Sequence, residues 1–162
     1  MYLVGCSQAS TRCFFFEHQS QDDTALVSRN VIVSLGQNIF TPQDLTRSDL
    51  IEDDRPYAGW LYGGLGFRRR GPGIMDTLEL QFGFIGEPSL GEPTQTLVHK
   101  LRGIEKPNGW RHQLKTEPTT GLTYERKWRA FDRGGRSGFG LNAIPHVGVV
   151  LGNVDIFASV GG

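Results

Sequence analysis

Residues 75–86, MDTLELQFGFIG, decide the fold class. Leu78, Leu80, Phe82 and Phe84 occupy every second position, and Thr77, Glu79, Gln81 and Gly83 fill the places between. A period of two puts the apolar side chains on one face of a β-strand and the polar ones on the other. A helix would scatter the same residues around its axis. The pattern therefore predicts a strand with two chemically distinct faces.

The same alternation extends in both directions. In residues 121–130, Leu122, Tyr124 and Trp128 oppose Thr123, Glu125, Lys127 and Arg129. In residues 138–152, Phe139, Leu141, Ala143, Val147, Val149 and Leu151 oppose Gly140, Asn142, His146, Gly148 and Gly152. Residues 28–40 place Val31, Val33, Leu35 and Ile39 against Ser34, Gly36 and Asn38. Residues 57–70 open with Tyr57, Trp60 and Tyr62, as an interfacial aromatic girdle would. A short strand over 154–160 follows, and Gly- and Pro-rich turns separate these segments. The expectation is an all-β, antiparallel chain of about six strands.

Composition narrows the class without settling it. The 162 residues suffice for one domain, and 17 basic residues balance 17 acidic ones, which gives no electrostatic case for nucleic acid. No run of 18 apolar residues exists, so no membrane-spanning helix is expected. Barrel strands need only about ten alternating residues, so a membrane barrel stays open. Periodicity alone does not separate it from a soluble sandwich. The polar-face glycines Gly36, Gly64, Gly66, Gly83 and Gly148 suit a curved wall. Cys6 and Cys13 carry no metal-ligand company, and LVGC lacks the signal-peptide regions that a lipoprotein box requires.

Residues 94–114, TQTLVHKLRGIEKPNGWRHQL, break the alternation. Leu97, Val98 and Leu101 form one stripe of a short helix, with Pro93 before it and Gly103 after it. His99 lies off that stripe, and Glu105 follows the helix end. If the chain folds back at Gly103, the Glu105 carboxylate can accept the imidazole N–H and leave the other nitrogen as a general base. Spacing alone is equally met by two surface side chains. His112 reads as loop and His146 as wall. Ser34 and Ser159 lack a nucleophile elbow. Glu52, Asp53 and Asp54 form an acidic cluster that reads as a solvated loop, with Asp54 beside Arg55.

Four stretches together are distinctive: LGQNIFTPQDLTRSDLIEDDRPYAGWLYGGLG, TQTLVHKLRGIEKPNGWRHQLKTEP, YERKWR and GLNAIPHVGVVLGNV. They resemble the outer-membrane lipid A 3′-O-deacylase family, in unbroken order across residues 28–162. The resemblance implies a twelve-stranded antiparallel transmembrane β-barrel in the Gram-negative outer membrane, of which about six strands lie here, with a helical loop over 94–114. It implies calcium-dependent hydrolysis of the 3′-linked acyloxyacyl ester of lipid A in lipopolysaccharide. By the same resemblance, the pattern H-x-x-x-G-x-E assigns water activation to His99 and water orientation to Glu105. Arg47 and Gln37 are candidates for contact with the ester or its oxyanion. The full-length protein is expected to be monomeric, with outer-membrane lipid around it and no nucleic-acid partner.

The family's N-terminal Asn-Asp pair, which contributes to its site and its calcium, has no counterpart in residues 1–27. Those residues are expected to be a non-matching leader or a mis-started N-terminus, and 28–162 a partial barrel domain. The alternatives on these residues are a non-catalytic outer-membrane barrel, structural or for transport, or an inactive truncated homologue.

Overall fold

A computed structural model describes residues 11–20, 27–134 and 140–162. Along the chain run β1 (Thr11–Ser20), β2 (Ser28–Phe40), β3 (Ala58–Gly71), β4 (Ile74–Ile85), α1 (Gly91–Arg102), β5 (Glu117–Trp128), β6 (Phe131–Gly134), β7 (Gly140–Ala143), β8 (His146–Gly152) and β9 (Ile156–Gly161). The sheet order is β1-β2-β3-β4-β5-β8-β9, and each neighbouring pair is antiparallel. This is an all-β open sheet with one α-helix among the described residues, as the alternation predicts.

The β5–β8 hairpin runs on into β6 and β7. The Trp128 N–H donates to the Pro145 carbonyl at 2.9 Å and the Ala130 N–H donates to Ala143 at 3.0 Å, bridging the two ladders. Pro145 has no N–H to give, so the single strand expected over 138–152 breaks there into β7 and β8. The first strand lies inside residues 1–27, where a non-matching leader was expected. Thr11–Ser20 pairs with β2, with a slip in register between Arg12 and Phe15. Three consecutive phenylalanines hide any alternation in that segment.

The two faces are what the period of two demands. Val33, Leu35, Leu65, Phe67, Leu80, Phe82 and Leu151 point outward, and Phe82 is 61% exposed. Ile32, Ser34, Asn38, Trp60, Tyr62 and Thr119 point inward and are buried. Among the described residues no second layer packs on the inner face, so that burial comes from the sheet curling over itself. A continuous apolar outer face of this extent suits hydrocarbon rather than water.

Trp60 and Tyr62 correct one expectation. They are not an interfacial girdle: both sit on the inner face, with ring centroids 4.5 Å apart. The Trp60 Nε1–H donates to Thr119 Oγ1 at 2.9 Å, which ties β3 to β5 across β4. Nearby, Ser34 Oγ donates to Glu79 Oε1 at 2.6 Å, and Gln81 donates to the same oxygen at 3.0 Å. Their positions on even-numbered residues of β2 and odd-numbered residues of β4 are the cross-strand consequence of the register.

Candidate functional site

Both long connections, 41–57 and 86–116, leave the sheet at the same end, while the tight β3–β4 turn closes the other. The two loops lock onto each other. The Asn108 N–H donates to the Leu45 carbonyl at 3.0 Å, its side-chain amide donates to Thr46, and the Leu114 N–H donates to the Tyr57 carbonyl at 2.9 Å. Trp110 is 2% exposed, packs its ring 5.1 Å from that of Tyr57 and donates Nε1–H to Gln95 Oε1 on α1. One buried tryptophan therefore joins the helix, its return loop and the start of β3.

The helix leans on the outer side of the wall. Gln37 has the same parity on β2 as Val33 and Leu35, and its Nε2–H donates to the Ser89 carbonyl at 2.6 Å. On β3, Gly59 shares the outward parity of Leu65 and Phe67. A Cβ at Gly59 would overlap Ser89 Oγ and lie 3.0 Å from Gly91 Cα, so only glycine admits this approach. Ser89 is fully buried at the contact. The start of α1 thus sits on the apolar outer surface, not inside the curl.

The helix spans Gly91–Arg102, beginning before the Thr94 that sequence pattern suggests, with Pro93 in its first turn. A 3-10 turn follows at Trp110–His112, where His112 reads as loop from sequence. At the C-terminus Gly103 takes φ 66°, ψ 27°, and the Ile104 N–H donates to the His99 carbonyl at 2.9 Å. This left-handed residue reverses the chain, as C-terminal glycines do. The reversal brings the Glu105 carbonyl to 2.7 Å from His99 Nδ1.

A carbonyl oxygen only accepts, so Nδ1 carries the hydrogen in that bond and the neutral ring keeps Nε2 as its basic nitrogen. The tautomer anticipated for His99 is therefore set, but by the backbone oxygen of Glu105. The Glu105 carboxylate, which sequence reasoning assigned to that bond, is exposed.

The other candidates are occupied differently. Gln37 is the fastener just described. Arg47 lies in the 41–57 loop, paired with Asp49 through two hydrogen bonds on an exposed surface. The Arg47 hydrogen bond holds the Asp49 carboxyl at about 2, below the usual carboxylate range. Backbone N–H groups of Gln43 and Arg55 lower Asp54 in the same way, so it pins the loop's backbone rather than the Arg55 side chain. His112 accepts from Arg111 Nε at 2.9 Å, and Ser34 is committed to Glu79. Gly59, Ser89 and Gln95 escaped sequence reasoning, and the packing of Tyr57 on Trp110 did too, because the partners are distant in the chain.

Calcium meets no ready cage here. Among the described residues, no three His, Cys, Asp or Glu side chains converge. A hard cation of that size takes six to eight oxygens, from backbone and amide carbonyls and water as well as carboxylates.

A sequence profile of the family described as "Outer membrane protein LpxR" matches residues 6–162. No curated protein sequence matches the chain. Among solved structures, "LpxR from Salmonella typhimurium" superposes with a TM-score of 0.71 at 19% identity. That match covers 86% of this chain and 46% of the Salmonella chain, so the present chain spans about half the length of that relative. At such identity the likeness concerns the fold.

Proposed function

From this chain's membership of the outer membrane protein LpxR family, we propose that it forms part of a lipid A deacylase that hydrolyses the 3′-O-linked acyloxyacyl ester. One observation carries the reading: His99 lies on a helix whose start is seated on the apolar outer wall, with Nδ1–H bound to the Glu105 carbonyl and Nε2 left as a base. An ester held among acyl chains is reached from that side of a barrel and not from its interior.

In the proposed reaction Nε2 takes a proton from water as the water oxygen attacks the ester carbonyl carbon. The tetrahedral intermediate collapses with cleavage of the bond to the sugar oxygen, and the imidazolium returns its proton to that leaving alkoxide. The products are a free acyloxyacyl carboxylic acid and a 3′-hydroxyl. The Glu105 carbonyl keeps the ring in its reactive tautomer and stabilises the imidazolium that forms. Glu105's carboxylate orients the water, and Gln37 holds the start of α1 against the wall; Arg47, paired with Asp49, is given no step. Calcium, which the resemblance implies, is assigned no step.

The test is a His99→Gln variant of the full-length protein in the outer membrane, with lipid A read by mass spectrometry. Wild type should remove the acyloxyacyl group and the variant should leave it in place. Continued deacylation by a correctly inserted variant would overturn the role of His99. No deacylation by wild type would favour a non-catalytic barrel.

A further inference from the structure

The side of α1 turned away from its seat carries an exposed apolar stripe. On the seated side, Gln95 accepts from Trp110, and a Cβ at Gly91 would lie 2.7 Å from the Trp110 ring. Successive helical residues turn by about 100°, which puts Leu97 and Leu101 on the far side with Val98 at their margin. Leu97 is 57% and Leu101 77% exposed. Leu90 at the helix start and Ile104 just past its end are exposed as well.

Cations border this stripe. By the same rotation Lys100 lies to one side of it and Arg102 to the other, and both are exposed. Neither side chain has a polar partner among the described residues. The helix's one carboxylate, Glu92, sits in the first turn at the other end. Single exposed leucines are ordinary, but a stripe of them bordered by cations is the pattern of a helix lying in a lipid–water interface.

The wall beneath indicates what covers the stripe. Away from α1, its outward apolar rows end at a row of charge. The registers set Arg29 opposite Arg69, Arg69 opposite Asp76, and Asp76 opposite Arg126, whose Nε donates to Asp76 Oδ1 at 2.6 Å. From Leu78 to Phe84 the apolar run on β4 rises about 20 Å along the strand. At a tilt of about 40° that covers roughly 15 Å of depth, short of the usual lipid-facing band of about 25 Å. The start of α1 is seated at the far end of this run, on Gly59, whose carbonyl accepts from the Gly86 N–H just past Ile85. The helix therefore extends the apolar surface where the wall stops.

We propose that α1 is an interfacial helix, with its Leu97–Leu101 stripe among the acyl chains of the lipopolysaccharide leaflet and Lys100 and Arg102 at the phosphates of lipid A. The choice of leaflet rests on the deacylase reading, since His99 lies on the same helix. The insertion itself does not.

A nitroxide at Leu101→Cys, in full-length protein whose native cysteines are replaced by serine, reads the depth. The protein is reconstituted in phosphatidylcholine vesicles containing rough lipopolysaccharide or, separately, dioleoylphosphatidylglycerol. With lipopolysaccharide the label should relax more with oxygen than with a water-soluble nickel chelate. The same label at Glu52→Cys, on the exposed part of the 41–57 loop, should show the reverse. Lys100→Gln combined with Arg102→Gln should shift the Leu101 label toward the aqueous ratio, with heat-modifiable mobility establishing that each variant folds. An aqueous reading at Leu101, a label shielded from both reagents by protein, or no shift in the double variant would overturn the proposal. Equal depth in the phosphatidylglycerol vesicles would overturn the assignment to lipid A. Insertion by a wild type that leaves lipid A intact would support the proposal and count against the deacylase reading.

Discussion

His99 Nδ1 lies 2.7 Å from the main-chain oxygen of Glu105, a residue six positions on whose carboxylate faces solvent. The base is oriented by backbone, and the backbone is turned by Gly103. The geometry of the candidate site therefore depends on a residue with no chemistry of its own.

That dependence can be measured at Gly103. Space is not limiting, since a Cβ there meets nothing within 4 Å, but φ of 66° is costly for a branched side chain. Gly103→Val should cost about 1–2 kcal/mol of local stability and release the Glu105 carbonyl from His99. Gly103→Asn, which tolerates this conformation, should retain function. Lipid A mass spectrometry on both variants checks the ordering, and equal activity would contradict it.

Gly59 tests the seating of α1 on the wall. Any side chain larger than hydrogen meets Ser89 and Gly91. Gly59→Val should displace the helix start, sever the Gln37–Ser89 bond and suppress deacylation while heat-modifiable mobility persists. Loss of folding together with activity would show that Gly59 serves the sheet as a whole.

Trp110 holds the rim together. Trp110→Ala should remove about 3–5 kcal/mol of packing from the loops and expose 86–116 to limited proteolysis. Trp110→Phe keeps most of the apolar contact and loses the bond to Gln95, a change of about 1 kcal/mol. Cleavage rates should rank alanine well above phenylalanine, with wild type slowest.

The Arg47–Asp49 pair makes a prediction about acid. A carboxyl depressed by its partner contributes to loop order above its unfolded pKa, and that contribution fades as pH falls through the folded value. Asp49 should titrate near 2, and Arg47→Gln should return it toward the ordinary value of about 3.9. Carbon chemical shifts of the Asp49 carboxyl against pH read this directly. An unchanged midpoint in the variant would mean that Arg47 does not set it.

Much of the wall was legible because a strand's two faces are encoded locally. Leu78, Leu80, Phe82 and Phe84 declare their face through spacing alone, whatever lies next to them. Trp60 and Tyr62 were misplaced because the order of aromatic residues does not say which way a strand's odd and even positions face. That assignment came from pairing with β2 and β4. Residues 11–20 were unreadable because Cys13, Phe14, Phe15 and Phe16 run without a polar interval.

By itself the sequence determined the all-β class, the apolar and polar rows, the helical interruption and the presence of His99, Gly103 and Glu105 within one turn and a reversal. These follow from interactions a few residues long. Tertiary structure alone decided that the helix leans on the outer wall through Gly59 and Gln37, that Trp110 joins both loops, and that arginines from separate strands form one charged row. Each of those relationships is made by residues far apart in the chain, where spacing carries no information and only strand register and packing can bring them together.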